Sequence, residues 1–263
     1  MNVAKSEGMW HIGSSDILYE DEAVIVVNKP SGLPSQATLD PARDHCLAAV
    51  MRYLKGGYVG LHHRLDAGTS GALLLSKSQA ANASLSHQFQ THTIRKGYVA
   101  IGCGQRLEAV GVGSHRRLEN AIGEGERIRG VQLFCVGGKK ARRAVTDVSC
   151  ESAWCMRDGV VGYFMCQPQT GRTHQIRVHM ASLGLGIIGD PLYGDGKLRS
   201  LRTMAPGRLC LHASWIVFEH PLTGESVCVS CETPPEMIAF MKKITQTGKP
   251  IAPCTQGDSK NDG

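Results

Sequence analysis

The stretch His63-Arg64-Leu65-Asp66-Ala67-Gly68-Thr69-Ser70-Gly71 sets one carboxylate beside an arginine and follows it with a run of small, turn-forming residues. Ala72-Leu73-Leu74-Leu75 comes directly after and reads as a buried strand. A reactive side chain at a strand end, next to a glycine-bearing loop, is a common way to build an active site. Much further along, Gly171-Arg172-Thr173-His174-Gln175-Ile176-Arg177-Val178-His179 supplies the cations such a carboxylate needs.

Each segment also has a plainer reading. Aspartate often caps a turn through its own carboxylate, so Asp66 alone fits a structural role. Residues 173–183 fit a helix with Ile176, Met180 and Leu183 on one face, and its polar residues fit a solvated side. Together the segments support a different reading, an ionised nucleophile or base paired with an arginine fork. A metal reading uses His62, His63, Asp66, His174, His179 and Asp190. However, His174 and His179 are five apart and do not share a helix face, and Arg64, Arg172 and Arg177 would repel a divalent ion. No metal site is expected. There is no phosphate-binding loop of the Gly-x-x-x-x-Gly-Lys type and no Gly-x-Ser-x-Gly elbow.

Outward from these segments, 263 residues with 42% hydrophobic and 20% charged content can bury a core without staples. The net charge of +6 permits a polyanionic partner. Aromatics at 5% argue against a row of base-stacking platforms. Ten cysteines are scattered, mostly in apolar runs, and no secretory signal opens the chain, so they read as reduced thiols of a cytoplasmic protein. Cys228-x-x-Cys231 has zinc spacing but no second pair, and reads as strand cysteines. No apolar run approaches the ~20 residues of a membrane span.

Strands are expected at 17–20, 23–27, 73–75, 98–101, 144–149, 160–166, 209–218 and 225–231. Helices are expected at 43–55, at 78–90 with Ser78 as N-cap, at 173–183 and from 233 to 244. Residues 104–130 read as a variable loop or hairpin excursion, and Lys139-Lys140-Ala141-Arg142-Arg143 as a basic run ahead of a strand. Many strands, few helices and several hairpins make an α+β fold with a mixed, mostly antiparallel central sheet flanked by helices. Residues 1–14 are expected to be a flexible extension, 15–246 one domain and 247–263 a disordered tail.

The motifs, taken in order, resemble the RluA-type RNA pseudouridine synthases. The first motif is joined by Asn28-Lys29-Pro30-x-Gly32, Lys96-x-Tyr98-x-Ala100 and the 171–179 segment. Gly189-Asp190-Pro191-x-Tyr193-Gly194, Leu211-His212-Ala213 and His220-Pro221-x-Thr223-Gly224 follow, and the likeness spans about residues 16–235. The resemblance implies a pseudouridine synthase-like catalytic domain that isomerises uridine in an rRNA or tRNA stem-loop without cofactor or metal. It makes Asp66, Tyr98 and Arg177 the catalytic residues: Asp66 the carboxylate, Arg177 its partner, and Tyr98 the residue that packs on the base and helps remove its C5 proton late in the reaction. Arg64 would fill the space left by the flipped nucleotide, and Lys29, Arg172 and His174 would contact phosphate. Asp66 would attack C1′ or promote a glycal intermediate, and either route develops positive charge at the sugar. Ala67 stands where the family often carries arginine, which removes one cation beside the substrate. About fifteen residues precede the first strand, so the family's common N-terminal RNA-binding domain is not expected. A monomer is the plain expectation. The rival readings are a non-catalytic RNA-binding module on the same fold and a metal-dependent phosphoesterase.

Overall fold

Val24-Ile25-Val26-Val27 and Leu73-Leu74-Leu75 are apolar at every position, so each strand must be covered on both faces. The structure, a computed structural model, covers them in that way; it describes residues 9–105, 111–128, 130–194, 198–201 and 203–253. The elements run β1 (Ile17–Glu20), β2 (Val24–Lys29), α1 (Cys46–Tyr53), β3 (Gly60–Leu61), β4 (Ser70–Ser76), α2 (Gln79–Gln90) and β5 (Arg95–Gly104). There follow β6 (His115–Ile128), β7 (Val131–Val136), β8 (Lys139–Met156), β9 (Gly159–Pro168), α3 (Gln175–Ser182) and β10 (Gly186–Ile187). The chain then forms β11 (Leu211–Glu219), β12 (Ser226–Ser230), α4 (Pro235–Thr247) and β13 (Lys249–Pro250).

One sheet has the order β1-β2-β4-β11-β5-β9-β8-β6-β7, with β3, β10, β12 and β13 attached at its sides. Among the described strands only β4 and β11 pair in parallel. The sheet is mixed and mostly antiparallel, as the element order implied. Ile25, Val27, Leu73 and Leu75 face the main core with α1, α3 and α4, while Val24, Val26 and Leu74 pack with Leu85 of α2 on the other side. Ser78 caps α2 by accepting from the Ala81 N–H at 3.3 Å.

The 104–130 excursion is a hairpin of β6 and β7, with residues 106–110 and 129 outside the described set. β6 is exposed at most positions; Leu118 and Ile122 are buried with the polar Asn120 between them, an alternation too short to mark a half-buried strand in the sequence. The basic run 139–143 lies inside β8 rather than ahead of it. Within the tail expected from 247, Thr247 ends α4 and Lys249–Pro250 pair with Trp154–Cys155; residues 254–263 lie outside the described set. At the other end, residues 1–8 lie outside it too. Trp10 of the expected extension packs on the core, its N–H donating to Asp44 at 2.8 Å and its carbonyl accepting from Arg52 at 3.0 Å.

Two histidines are locked in the interior, His212 on β11 and His179 on α3. His212 has no exposure; its Nδ1 lies 2.8 Å from the Ser70 hydroxyl and its Nε2 3.3 Å from the Cys231 carbonyl. His179, equally buried, meets Thr146 Oγ1 at 2.8 Å, and its Nε2 has no partner among the described residues. Burial pushes both imidazoles from the usual 6.5 down to about 4. Between those values the unfolded chain binds protons that the folded chain refuses, so their share of stability is present above pH 6.5 and is lost as pH falls toward 4. Urea titrations at pH 7, 6 and 5 should show the unfolding free energy dropping, with a slope approaching about 2.7 kcal/mol per pH unit from the two groups. A flat profile over that window would contradict their neutral burial.

Candidate active site

The loop that carries Asp66 is fastened by the segment after β2. Pro30 ends that strand because it lacks a backbone donor, and Gly32 turns at φ 92°, a left-handed conformation open to glycine. The Gly32 N–H donates to the Ala67 carbonyl at 2.7 Å, and the Ser31 hydroxyl to the Gly68 carbonyl at 2.7 Å. Ser35 bonds both the N–H and the carbonyl of Leu65, at 3.0 and 2.8 Å. From below, the Lys29 ammonium donates to the carbonyls of Pro30, Leu33 and Ala67 at 2.9, 2.7 and 3.3 Å. Burial pushes this amine down to about 7. The three acceptors oppose that shift, because only the ammonium form offers three protons.

Lys29 is therefore a correction. It was expected to touch phosphate, but it has no exposure and its charge is spent on loop carbonyls. The Asn-Lys-Pro-x-Gly motif holds the acid's loop in place. His63 works at the loop's start. Its Nε2 accepts from the Leu74 N–H at 3.1 Å, and burial pushes it down to about 3, so it is a neutral acceptor. Gly71, at φ 111°, brings β4 against β11 so closely that a Cβ there would lie 2.2 Å from the Ala213 carbonyl.

Arg177 reaches Asp66 from α3. The helix is entered through His174 in a left-handed conformation, φ 56°, which turns the chain sharply after Gly171-Arg172-Thr173. Gln175 fixes that turn. Its Oε1 accepts from the Thr170 hydroxyl at 2.7 Å and the Arg172 N–H at 3.0 Å, and its Nε2 donates to Val145 and Thr146 at 2.9 Å each. Arg177 then bridges two carboxylates. Nη1 lies 3.1 Å from Asp66 Oδ2, while Nε and Nη2 hold Asp190 in a fork at 2.7 and 2.8 Å. Burial opposes the guanidinium charge, but the two carboxylates outweigh it and raise the Arg177 pKa. The Asp190 side chain has 0% exposure and also accepts from the Leu192 and Tyr193 N–H groups at 2.9 and 3.2 Å. Asp66 keeps 27% side-chain exposure, so the pair has one sealed acid and one open to solvent.

His174 and Tyr193 close the ring around Asp66. The Phe134 N–H donates to Tyr193 Oη at 2.9 Å, and that hydroxyl meets His174 Nδ1 at 2.8 Å. His174 Nε2 faces Asp66 Oδ2 at 3.9 Å. Burial lowers the His174 pKa, and the Asp66 charge works against that shift. His174, expected as a phosphate contact, thus points inward at the acid. Tyr98 of β5 is 8% exposed; burial and the Asp66 charge raise its pKa, so it stays a phenol.

These groups line a cavity of about 570 Å³ that contains Asp66, Arg177, His174 and Tyr98. Arg64 is exposed at its rim. Arg172 also lines it, steered by a 2.9 Å bond from Nε to the Arg143 carbonyl. The site therefore joins segments from β4, β5 and α3, bringing together Asp66, Tyr98, Arg177, His174, Arg64 and Arg172 and excluding Lys29. In the sequence Asp190 stands out as a metal-ligand candidate and, with Tyr193, as part of a motif, and neither reading carries the role it has here. The signal that could have found them is an aspartate just before Pro-x-Tyr-Gly, 13 residues after Arg177.

Comparison with known proteins adds the following. The model of a family described as RNA pseudouridylate synthase matches residues 23–182. The chain is 31% identical to the ribosomal large subunit pseudouridine synthase D of Zymomonas mobilis, over 87% of this chain and 72% of that protein. It is 32% identical to the ribosomal large subunit pseudouridine synthase C of Haemophilus influenzae, over 89% of this chain and 70% of that one. Its fold is similar to that of human RNA pseudouridylate synthase domain containing 1, with a TM-score of 0.68, 27% identity and 93% of each chain covered.

Proposed function

Because the chain belongs to the RNA pseudouridylate synthase family, in its RluA type, we propose that it isomerises uridine in large-subunit ribosomal RNA, with Asp66 as the catalytic carboxylate. The observation that carries this reading is the 3.1 Å ion pair between Asp66 and Arg177 at the wall of an open cavity. The sheet from β1 to β13 is the catalytic domain. The choice of substrate is supported by the two relatives, ribosomal large subunit pseudouridine synthases D and C.

The reaction breaks the bond between N1 of uracil and C1′ of ribose, turns the base and joins C5 to C1′; C5 gives up its proton to solvent and N1 takes one up, so the product is an isomer. Positive charge grows at C1′ as the base leaves, and a carboxylate anion held at that carbon stabilises it. Arg177 fixes the orientation of Asp66, and Asp190 fixes Arg177. Tyr98 supplies a flat apolar wall for the freed base, which must turn without escaping. Arg64, at the rim, occupies the place the nucleotide leaves in the RNA stack. Arg172 takes phosphate. No cofactor enters this scheme.

Mapping pseudouridine in total RNA from cells with and without the gene tests the reading. One or a few sites in large-subunit RNA should disappear with the gene. Loss only in tRNA would move the substrate, and no loss anywhere would refute the activity.

A further inference from the structure

Every other deeply placed cation of the site has a partner. Lys29 has three carbonyls, Arg177 two carboxylates and Arg172 the Arg143 carbonyl. Lys96 does not. It is half-buried and lines the same cavity as Asp66. Among the described residues no carboxylate lies within ion-pair reach of it and no acceptor takes a hydrogen bond from it. Its one contact of note is with Phe89 of α2, whose ring centroid lies 5.7 Å from Nζ. Phe89 is in turn stacked on His63 at 4.7 Å. A cation–π contact steers an ammonium but brings no counter-charge. Neutral His63 brings none either.

An unpaired, partly desolvated cation weakens the protein that carries it. Burial here lowers the Lys96 pKa with nothing to offset the shift. Such a group is retained at no loss if the anion arrives with the substrate. Its place on β5 says which anion. Lys96 precedes Tyr98 by two residues, so strand alternation puts both side chains on one face, about 7 Å apart along the chain. That is the reach from a base lying on Tyr98 to a phosphate of the same or the neighbouring nucleotide.

We infer that Lys96 is a phosphate subsite of the cavity, holding the RNA phosphodiester that adjoins the uridine seated on Tyr98. The inference rests on the uridine reading of that cavity. Lys96 is a positioning residue, since it binds RNA away from the reacting carbon. Phe89 keeps the ammonium aimed into the cavity before RNA arrives.

The test compares wild type, Lys96→Met and Lys96→Arg on an in vitro transcript of large-subunit ribosomal RNA. Binding is measured across a salt series, turnover by pseudouridine formed, and stability by thermal unfolding. Lys96→Met should unfold at the wild-type temperature or above it, because an unpaired charge is gone. Its apparent KM should rise about tenfold, with kcat nearly unchanged. The plot of log binding constant against log salt should flatten by about 0.7–0.9, one phosphate's share. Lys96→Arg should restore both KM and slope. If Lys96→Met keeps the wild-type KM and slope while wild type turns over, the subsite is refuted and the uridine reading stands. A lowered unfolding temperature with unchanged binding makes Lys96 purely structural and refutes it too. If wild type forms no pseudouridine in the transcript, the uridine reading fails and takes the subsite with it.

Discussion

Asp66→Asn should leave the protein folded and lower pseudouridine formation by at least about 10³-fold. The substitution keeps the shape of the side chain and removes its charge. Asp66 is 27% exposed and its loop is held by Lys29, Ser31, Gly32 and Ser35 through backbone groups, none of which needs the carboxylate. Arg177 also stays in place, because its fork to Asp190 is untouched. Single-turnover rates on the RNA, with unfolding temperature and RNA affinity measured alongside, separate chemistry from folding. A rate within tenfold of wild type would remove Asp66 from the mechanism.

Arg177→Met should fail on both counts. It strips the partner from Asp190, whose side chain has 0% exposure and would retain only two backbone donors. Removing one member of a buried ion pair typically costs about 3–5 kcal/mol, because the other charge is left desolvated and alone. Activity should fall with it, since Asp66 loses the group that orients it. Arg177→Lys should recover little, as one ammonium cannot reproduce a planar fork to one acid and a third bond to another. Urea unfolding gives the stability change and single-turnover kinetics the chemical one. Wild-type stability in Arg177→Met would mean that the Asp66–Arg177–Asp190 bridge does not hold α3 to the loops before β4 and after β10. The contrast with Asp66→Asn is the informative part. One variant loses chemistry alone, and the other loses chemistry and fold together.

Much of this was legible in the chain, for a physical reason. β2 and β4 are interior strands covered on both faces, and that burial writes an unbroken apolar run. α2 starts where Ser78 offers a hydroxyl to a free N–H. Asp66, Tyr98 and Arg177 are recognisable because each is tied to a local motif. What was hidden depends on contacts far apart in sequence. Lys29 looks like a surface cation by residue type, and only the packing of the 65–69 loop over it shows that it is fully buried. Asp190 becomes significant once α3 lays Arg177 beside it. β6 is missed because its inward row of Leu118, Asn120 and Ile122 is broken by a polar residue and the rest of the strand is largely exposed. His174 has a charge-capable side chain, yet its direction follows from a left-handed backbone turn that no composition reveals.

In the proposed reaction the Asp66 carboxylate frees a uracil, which then bonds through C5. That step must expel the hydrogen from C5, so tritium release from RNA transcribed with uridine labelled at C5 reads it directly. Purified wild-type protein, with no cofactor added, should release tritium into water in step with pseudouridine formed, from one or a few uridines per large-subunit transcript, and Asp66→Asn should release none. Absence of release by the wild type, or equal release by Asp66→Asn, would contradict the account.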